Sequence, residues 1–256
     1  MKSLQRRVAA FALILAALAA GNLAASDTIS PSEIITRFAA RETEFKQARQ
    51  MYTFETRIKA QVLNDHGTPV EEMRISVESY FTNDGKRHER ELSQTGQLQS
   101  LQWTDQDLDD ALHIQPFVLT TDQIPFYDIV YQGKELVDEL NTFVFQVSPK
   151  KIDKKKRYFE GKIWVDDQDF QIVKTFGKAV PDLGNNKFPR FETIRQPVDG
   201  YWFPVWTLAE DTLVFGDWLS GKHKVRMKEL ITYDNYKKFA VGATIKFGAP
   251  VEPPPQ

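Results

Sequence analysis

The histidines and acidic residues are the side chains of this chain best suited to chemistry, and their spacing argues against a metal site. His66, His88, His113 and His223 lie far apart, and no two of them stand four residues apart as ligands on one helix face would. The chain has no cysteine, which excludes disulfides, thiolate zinc sites and a cysteine nucleophile. We therefore predict neither a metal nor a cofactor.

An acidic cluster between positions 105 and 110 resembles the start of a calcium-binding loop. Asp110 stands at the sixth position, where such a loop needs glycine, and Pro116 stands at the twelfth, where it needs glutamate. We interpret the cluster as a solvated helix start, which the helix dipole favours. The chain also has neither a glycine-rich phosphate loop nor a Gly-x-Ser-x-Gly elbow. No catalytic residue stands out, and we expect a protein that is not an enzyme.

A run of basic residues has two interpretations. It is either the solvated tip of a hairpin or a docking patch for an envelope protein partner or for anionic membrane head groups. The patch consists of Lys150, Lys151, Lys154, Lys155, Lys156 and Arg157. The chain as a whole has a net charge of −2 across 256 residues, so nothing in its overall charge attracts nucleic acid.

The first 25 residues have the form of a secretory signal peptide. Lys2, Arg6 and Arg7 precede an apolar run from Val8 to Ala20, and small residues follow up to Ala25. The run is shorter than the ~20 residues that a membrane-spanning helix needs. The alternative is a retained anchor. We predict cleavage after Ala25 and, because no lipobox cysteine follows, a periplasmic location.

A single helix is predicted to precede a long series of strands. Ser30 and Pro31 mark its start, with Glu33 placed to close a capping box, and it runs to about Gln50. Apolar residues at helical spacing, including Phe38 and Phe45, give it a stripe that must pack on a sheet.

From Tyr52 onward the pattern alternates with the period of antiparallel strands. Two long strands pair through a turn at residues 64–67, and a second turn follows at residues 83–85. After a less regular segment that we interpret as a helical flap with loops, seven short strands follow Asp138. The alternation predicts that one set of apolar residues shares a face and looks toward the helix, namely Phe54, Ile58, Val62, Ile75, Val77 and Phe81.

The predicted fold is mainly β with some helix. It is a strongly curved antiparallel sheet or half-open barrel, whose concave side is covered by the N-terminal helix and the flap. We expect residues 26–248 to form a single domain, followed by a flexible proline-rich tail at residues 249–256. Such a shape either packs its interior or holds an apolar ligand. Trp103 and Phe117 on the flap are the residues we expect to close over that ligand.

Two motifs in the second half of the chain resemble a known family. Trp164-Val165-Asp166, followed by Ile172-Val173-Lys174, is similar to a strand pair of bacterial outer-membrane lipoprotein-sorting proteins. The stretch from Val198 to Pro204 resembles a hairpin turn and strand of the same LolA-like family. The order of elements fits that fold over most of the chain after residue 25.

The resemblance implies an incomplete β-barrel whose apolar concavity receives lipid or lipoprotein acyl chains, with no cofactor. It also implies a strand arginine that latches the helical lid. Arg57 and Arg74 are of the right type, and no motif identifies either of them. Two hypotheses remain, a carrier or sensor of lipidic ligands and a protein-interaction module with a filled interior. The sequence does not decide the oligomeric state.

Overall fold

The structure, a computed structural model, describes residues 29–82, 86–183, 187–216 and 221–239. The chain divides into two units, Met1–Ile34 and Ile35–Gln256. The predicted signal peptide and proline-rich tail lie outside the described residues. Within the described ranges, none of the helices combines the length and the hydropathy of a membrane span.

The first helix, α1, spans Pro31–Arg49 and begins where the sequence predicts. The hydroxyl of Ser30 accepts a hydrogen bond from the backbone N–H of Glu33 at 3.2 Å, as an N-cap residue does. On the apolar stripe, Phe38 and Phe45 are both completely buried. The ring of Phe38 lies 5.6 Å from that of Phe145, so the stripe packs against the sheet.

Ten antiparallel strands form one open sheet in the order β3-β2-β1-β10-β9-β8-β7-β6-β5-β4. The strands are β1 (Tyr52–Leu63), β2 (Pro69–Phe81), β3 (Arg87–Gln97), β4 (Tyr127–Val137), β5 (Leu140–Pro149), β6 (Tyr158–Asp166), β7 (Ile172–Val180), β8 (Arg190–Val198), β9 (Tyr201–Phe215) and β10 (His223–Lys238). The two end strands are β3 and β4. A curved, open antiparallel sheet with an N-terminal helix and a flap is therefore confirmed.

The flap, residues 98–126, connects the two end strands. Its helix α2 spans Asp105–Asp109 and is capped by Thr104, whose hydroxyl accepts from the backbone N–H of Asp107. The Asp107 carboxylate in turn accepts from the backbone N–H of Thr104 at 2.8 Å. A π-helical turn at Asp110–Ile114 follows. This reciprocal capping agrees with the interpretation of the acidic cluster as a helix start. Asp110 is an exception to the expected solvation, because it is buried and belongs to the π-helical turn.

The sequence analysis did not predict two of the strands, and it divided a third strand into two. Strand β3 is exposed along nearly its whole length, so it lacks the alternation that marks a half-buried strand. Strand β4 is half exposed and contains a bulge between Tyr131 and Gly133. Strand β9 is continuous for 15 residues where two short strands were expected, because Ala209, Glu210 and Asp211 pair in register with β10.

The family-like motifs build a small cluster on the outer face of the sheet. Val144, Trp164 and Val173 are buried there, with Trp202 packed against them. The indole N–H of Trp202 donates to Asp169 at 2.8 Å. These residues hold neighbouring strands and their turn together, so the motifs specify the fold.

Candidate functional site

Five of the predicted ligand-binding residues come together on the inner face, the face covered by α1 and the flap. Ile58 of β1 lies directly opposite Ile75 of β2, and Thr56 lies opposite Val77. The residues that share one buried apolar cluster are Phe54, Ile58, Val62, Ile75 and Val77. Phe81 lies outside this cluster, half buried, and stacks on Phe239 with ring centroids 4.5 Å apart.

The flap covers this cluster, whereas α1 packs its stripe farther along the sheet. Leu98, Leu101 and Ala111 of the flap are buried in the cluster, and Trp103 and Leu108 pack against it. The expectation that the cluster looks toward the stripe of α1 was therefore wrong. Phe45 of that stripe packs with residues of β1 and β9 instead. The flap passes over the inner face because it connects β3 and β4, which lie at opposite edges of the sheet.

Phe117 lies in the flap as predicted and closes over another part of the inner face. Its ring stacks on that of Phe159 with centroids 4.3 Å apart. Phe159 lies over a pair of facing glycines, Gly161 and Gly177, which leave room for its ring. A Cβ atom at Gly177 would stand 2.7 Å from the Phe159 ring. The two glycines therefore set how closely Phe117 and the flap approach the sheet.

The inner face is closely packed. A cavity of about 20 Å³ lies beneath the flap between Trp103, Gln115 and Glu229. That volume suits about one water molecule, so it is far too small for an acyl chain. A ligand seated beneath the flap would therefore have to displace it. An open groove of about 350 Å³ also lies at the edge of the flap, and its lining includes Met73, Ile75, Leu98, Trp103 and Leu108.

A buried arginine joins the sheet, α1 and the flap. Arg195 of β8 donates from its guanidinium to the Glu42 carboxylate of α1 at 3.0 Å and to the backbone carbonyl of Phe117. The side chains of Arg195 and Glu42 are 1% and 0% exposed. The guanidinium also lies 4.9 Å from the ring centroid of Phe45. These contacts are those of a strand arginine that latches the covering helix and flap.

Burial dominates the electrostatics of this latch. Loss of hydration raises the pKa of Glu42, although the charge of Arg195 and hydrogen bonds from Arg195 and the Ile172 backbone favour the ionised form. A buried ion pair of this kind contributes little net stability, but removal of one partner leaves an uncompensated charge. The pair therefore fixes the position of the flap more than it stabilises the fold.

Two further polar contacts attach the flap. Asp110 pairs with Arg157, and the amide of Gln115 donates to Glu229 of β10 at 2.6 Å. Burial raises the pKa of Asp110 despite its guanidinium partner. Burial also raises the pKa of Glu229 to about 7. These contacts, together with a hydrogen bond from the hydroxyl of Thr193 to the carbonyl of Gln115, hold the flap to the sheet.

The latch residues were missed by the sequence analysis, which considered Arg57 and Arg74. Those two arginines are half exposed or more and pair with acidic neighbours, Arg57 with Asp234 and Arg74 with Glu72. A usable signal was the period-two alternation of β8, which places Arg195 in phase with a buried phenylalanine.

The basic run forms the tip of the hairpin between β5 and β6, as one of its two interpretations predicts. Lys151, Lys154, Lys155 and Lys156 are exposed. Lys150 is also exposed and donates to the carbonyl of Pro125 at 3.1 Å. Arg157 was wrongly included in the exposed patch, because its side chain is only 9% exposed and pairs with Asp110.

The described residues contain no group of three or more histidine, cysteine, aspartate or glutamate side chains placed to hold a metal ion. His113 instead lies between two carboxylates, 3.3 Å from Glu89 and 2.9 Å from Asp109. The hydrogen bond and charge of Glu89 raise the pKa of His113. This histidine therefore ties the flap to β3.

No family model and no curated protein matches the chain. The chain is similar to a solved DUF1329 family protein from Desulfovibrio piger, with 13% identity, a TM-score of 0.39, and coverage of 82% of this chain and 95% of that one. It is also similar to a LolA superfamily protein from Nitrosomonas europaea, with 12% identity, a TM-score of 0.34, and coverage of 79% of this chain and 94% of that one. A third similar structure is a domain described as a putative outer membrane lipoprotein-sorting protein from Vibrio parahaemolyticus. Its identity is 11%, its TM-score is 0.39, and the alignment covers 83% of this chain and 95% of that one.

All three TM-scores are below 0.5, so the fold of this chain is described by its own strand order and covering elements. The described residues form an open antiparallel sheet whose apolar inner face is covered by a helix and a flap that Arg195 joins.

Proposed function

We propose that this chain is an exported, non-catalytic carrier or sensor of lipidic or acylated ligands, with the periplasm as its location. One observation carries the proposal: the flap covers a continuous apolar face of the sheet and is attached there by a few polar contacts. An acyl chain in place of the flap would bury the same apolar surface.

The energetics of this exchange are adequate for binding. Each methylene moved from water to the apolar face contributes ~0.8 kcal/mol, so ten methylenes contribute about 8 kcal/mol. Association costs and the displaced flap contacts offset part of this gain. Because 8 kcal/mol without any offset corresponds to a Kd of about 1 μM, the affinity for a chain of ten methylenes is expected to be weaker than micromolar and to increase with chain length.

A second candidate function is that of an envelope protein-interaction module with a filled interior. The observation that favours it is the small size of the cavity beneath the flap, about 20 Å³. In that case the flap stays in place and a partner protein binds elsewhere. The two functions differ in whether the apolar face ever exchanges the flap for a ligand.

The experiment that separates them is native mass spectrometry of gently purified protein, combined with titration of a fluorescent fatty acid. We expect co-purified lipid, and binding that Val77→Asp abolishes. Val70 is 59% exposed, so Val70→Asp is the matched control and should bind like the wild type. Circular dichroism checks that both variants fold. A folded wild type with neither bound lipid nor fatty-acid affinity would leave only the interaction module.

Export is tested by N-terminal sequencing of the protein recovered from the periplasm of an expressing cell. Cleavage after Ala25 gives a mature chain that begins with Ser26. A mature chain that retains Phe11 would contradict this part of the proposal.

A further inference from the structure

Two arginines flank Phe54, at the end of the apolar cluster where β1 begins. The guanidinium carbon of Arg49, the last residue of α1, lies 5.2 Å from the ring centroid of Phe54. That of Arg87, the first residue of β3, lies 5.0 Å from the same centroid. The two guanidinium carbons are therefore no more than about 10 Å apart, and both are held beside the apolar face by cation–π contacts.

Arg49 has no anionic group bonded directly to it, although the charge of Glu89 acts on it. Within the described part of the chain it makes neither an ion pair nor a hydrogen bond, and its Nε atom is buried without a partner. Buried charges are normally paired, because loss of hydration is costly unless an opposite charge or a hydrogen bond compensates it. An unpaired guanidinium beside an apolar face therefore indicates a place for an anion.

The neighbouring carboxylates are already engaged. Arg87 donates to Ser79 at 2.8 Å and to Glu89 at 3.2 Å, and its Nε is also buried without a partner. Glu89 in turn pairs with His113. Burial lowers the pKa of both Arg49 and Arg87, and the positive charge of Arg49 lowers the pKa of Arg87 further. Positive charge is thus in excess at this end of the cluster.

An open groove gives access to this end. It has a volume of about 670 Å³, and its lining consists of Gln50, Met51, Phe81, Arg87, His88, Glu89 and His113. Its size is within the range of small-molecule sites. A ligand entering here would meet Arg87 at the wall of the groove, and Arg49 lies on the Phe54 ring beyond it.

We propose that Arg49 and Arg87 bind the anionic group, carboxylate or phosphate, of an amphiphile whose apolar chain lies on the inner face. The placement of the chain rests on the proposed function, whereas the anion site rests on the two arginines. Guanidinium groups suit this role because they donate paired hydrogen bonds to carboxylate and phosphate oxygens. The site selects anionic amphiphiles over neutral ones of the same length.

The test compares dodecanoate, dodecyl phosphate, dodecanol and inorganic phosphate by calorimetric titration. The proteins are the wild type, Arg49→Gln, Arg87→Gln, Arg49→Lys and the control Arg74→Gln, which removes one charge from an exposed position. We expect each of the two arginine-to-glutamine variants at the site to weaken dodecanoate and dodecyl phosphate at least tenfold while leaving dodecanol unchanged. Arg49→Lys keeps the charge but lacks the paired donors of the guanidinium, so its affinity should lie between those of the wild type and Arg49→Gln.

Each outcome decides between the two proposals. Equal binding of dodecanoate and dodecanol to the wild type, or equal losses in Arg74→Gln and Arg49→Gln, would overturn the anion site and leave the carrier intact. Failure of all three amphiphiles would reject the carrier. Inorganic phosphate that binds the wild type but not Arg49→Gln would then support the anion site alone, and its failure to bind would overturn that site as well. Thermal unfolding confirms that each variant is folded.

Discussion

Arg195 is the residue on which the closed arrangement depends most. Its guanidinium is shared between Glu42 of α1 and the Phe117 carbonyl of the flap, and it is almost completely buried. Because removal of one partner of a buried pair leaves the other charge unpaired, a single substitution is expected to cost more stability than substitution of both partners.

We predict that Arg195→Met lowers the free energy of unfolding by about 3–5 kcal/mol, as measured by urea titration. Adding Glu42→Leu should restore most of that loss, because both buried charges are then replaced by apolar groups. Arg57→Met, at a half-exposed ion pair, is the control and should cost about 0–1 kcal/mol. Equal costs for the Arg195 and Arg57 variants would show that the latch is not buried in solution.

Glu229 gives the stability a definite pH dependence. Burial raises its pKa from 4.5 to about 7, with contributions from the negative charges of Asp107 and Asp110. As pH rises above 4.5 the unfolded chain loses the proton while the folded chain retains it up to about pH 7. The free energy of unfolding therefore decreases by about 3 kcal/mol as the pH rises from about 4.5 to about 7.

The variant Glu229→Gln should lack this loss, since glutamine is neutral and can still accept the hydrogen bond from Gln115. We expect it to become more stable than the wild type as pH rises from 5 to 8, by urea unfolding at each pH. Glu210 is 41% exposed, so Glu210→Gln is a suitable control and should follow the wild type. A constant difference between Glu229→Gln and wild type across this range would refute the raised pKa.

At the scale of elements, the flap is the part of the molecule expected to move. It contains one short α-helix, a π-helical turn, a 3-10 turn at Ile124–Phe126 and loops. Its attachments include the latch, the Asp110–Arg157 pair and the Gln115–Glu229 contact. Segments with few regular backbone hydrogen bonds open locally at lower free energy than the sheet that supports them.

We predict that Arg157→Gln increases hydrogen exchange in residues 98–117 roughly tenfold, which corresponds to ~1.4 kcal/mol of local opening free energy. The physical reason is that Asp110 is left buried without a cation. Exchange in the central strands should not change. Lys154→Gln, at the nearby exposed tip, is the control. Uniform acceleration across the sheet would mean that the pair stabilises the whole fold instead of holding the flap.

The elements that could be predicted are those in which apolar residues recur at the spacing of a helix or a strand, because one side of the element is buried. The helix start at Ser30 and the alternation from Phe54 to Val77 were predicted correctly because apolar residues there face one covered side. Strand β3 was not predicted, since both of its faces are exposed and its pairing with β2 leaves no mark in hydropathy. The latch was missed because Glu42 and Arg195 are distant in sequence, and only the fold brings them together.

At the scale of the whole molecule, positive charge is clustered at the β5–β6 tip, although the net charge of the protein is −2. The β5–β6 tip exposes five lysines, with Asp153 as the acidic residue among them, namely Lys150, Lys151, Lys154, Lys155 and Lys156. Clustered lysines attract anionic membrane surfaces, with about 1 kcal/mol from each residue near the surface.

We predict that the protein co-sediments with vesicles that contain an anionic phospholipid and that Lys154→Gln, Lys155→Gln and Lys156→Gln together reduce this binding. The effect should disappear in high salt, which screens exposed charges. Arg226→Gln combined with Lys228→Gln and Arg74→Gln removes the same charge from the sheet surface and is the matched control. Equal losses in the two triple variants would show that net charge, not the tip, governs membrane attraction.

The two end strands of the sheet differ in a way that limits how copies of the molecule can assemble. Strand β3 has the sequence RHERELSQTGQ, whose charged side chains discourage another strand from joining it. Strand β4 exposes Val130 and Leu136, which are 54% and 68% accessible. An edge-to-edge contact between copies must therefore use β4 of both, which is a two-fold contact that closes on itself. Any such assembly would stop at a pair, and the open sheet would not propagate into fibres.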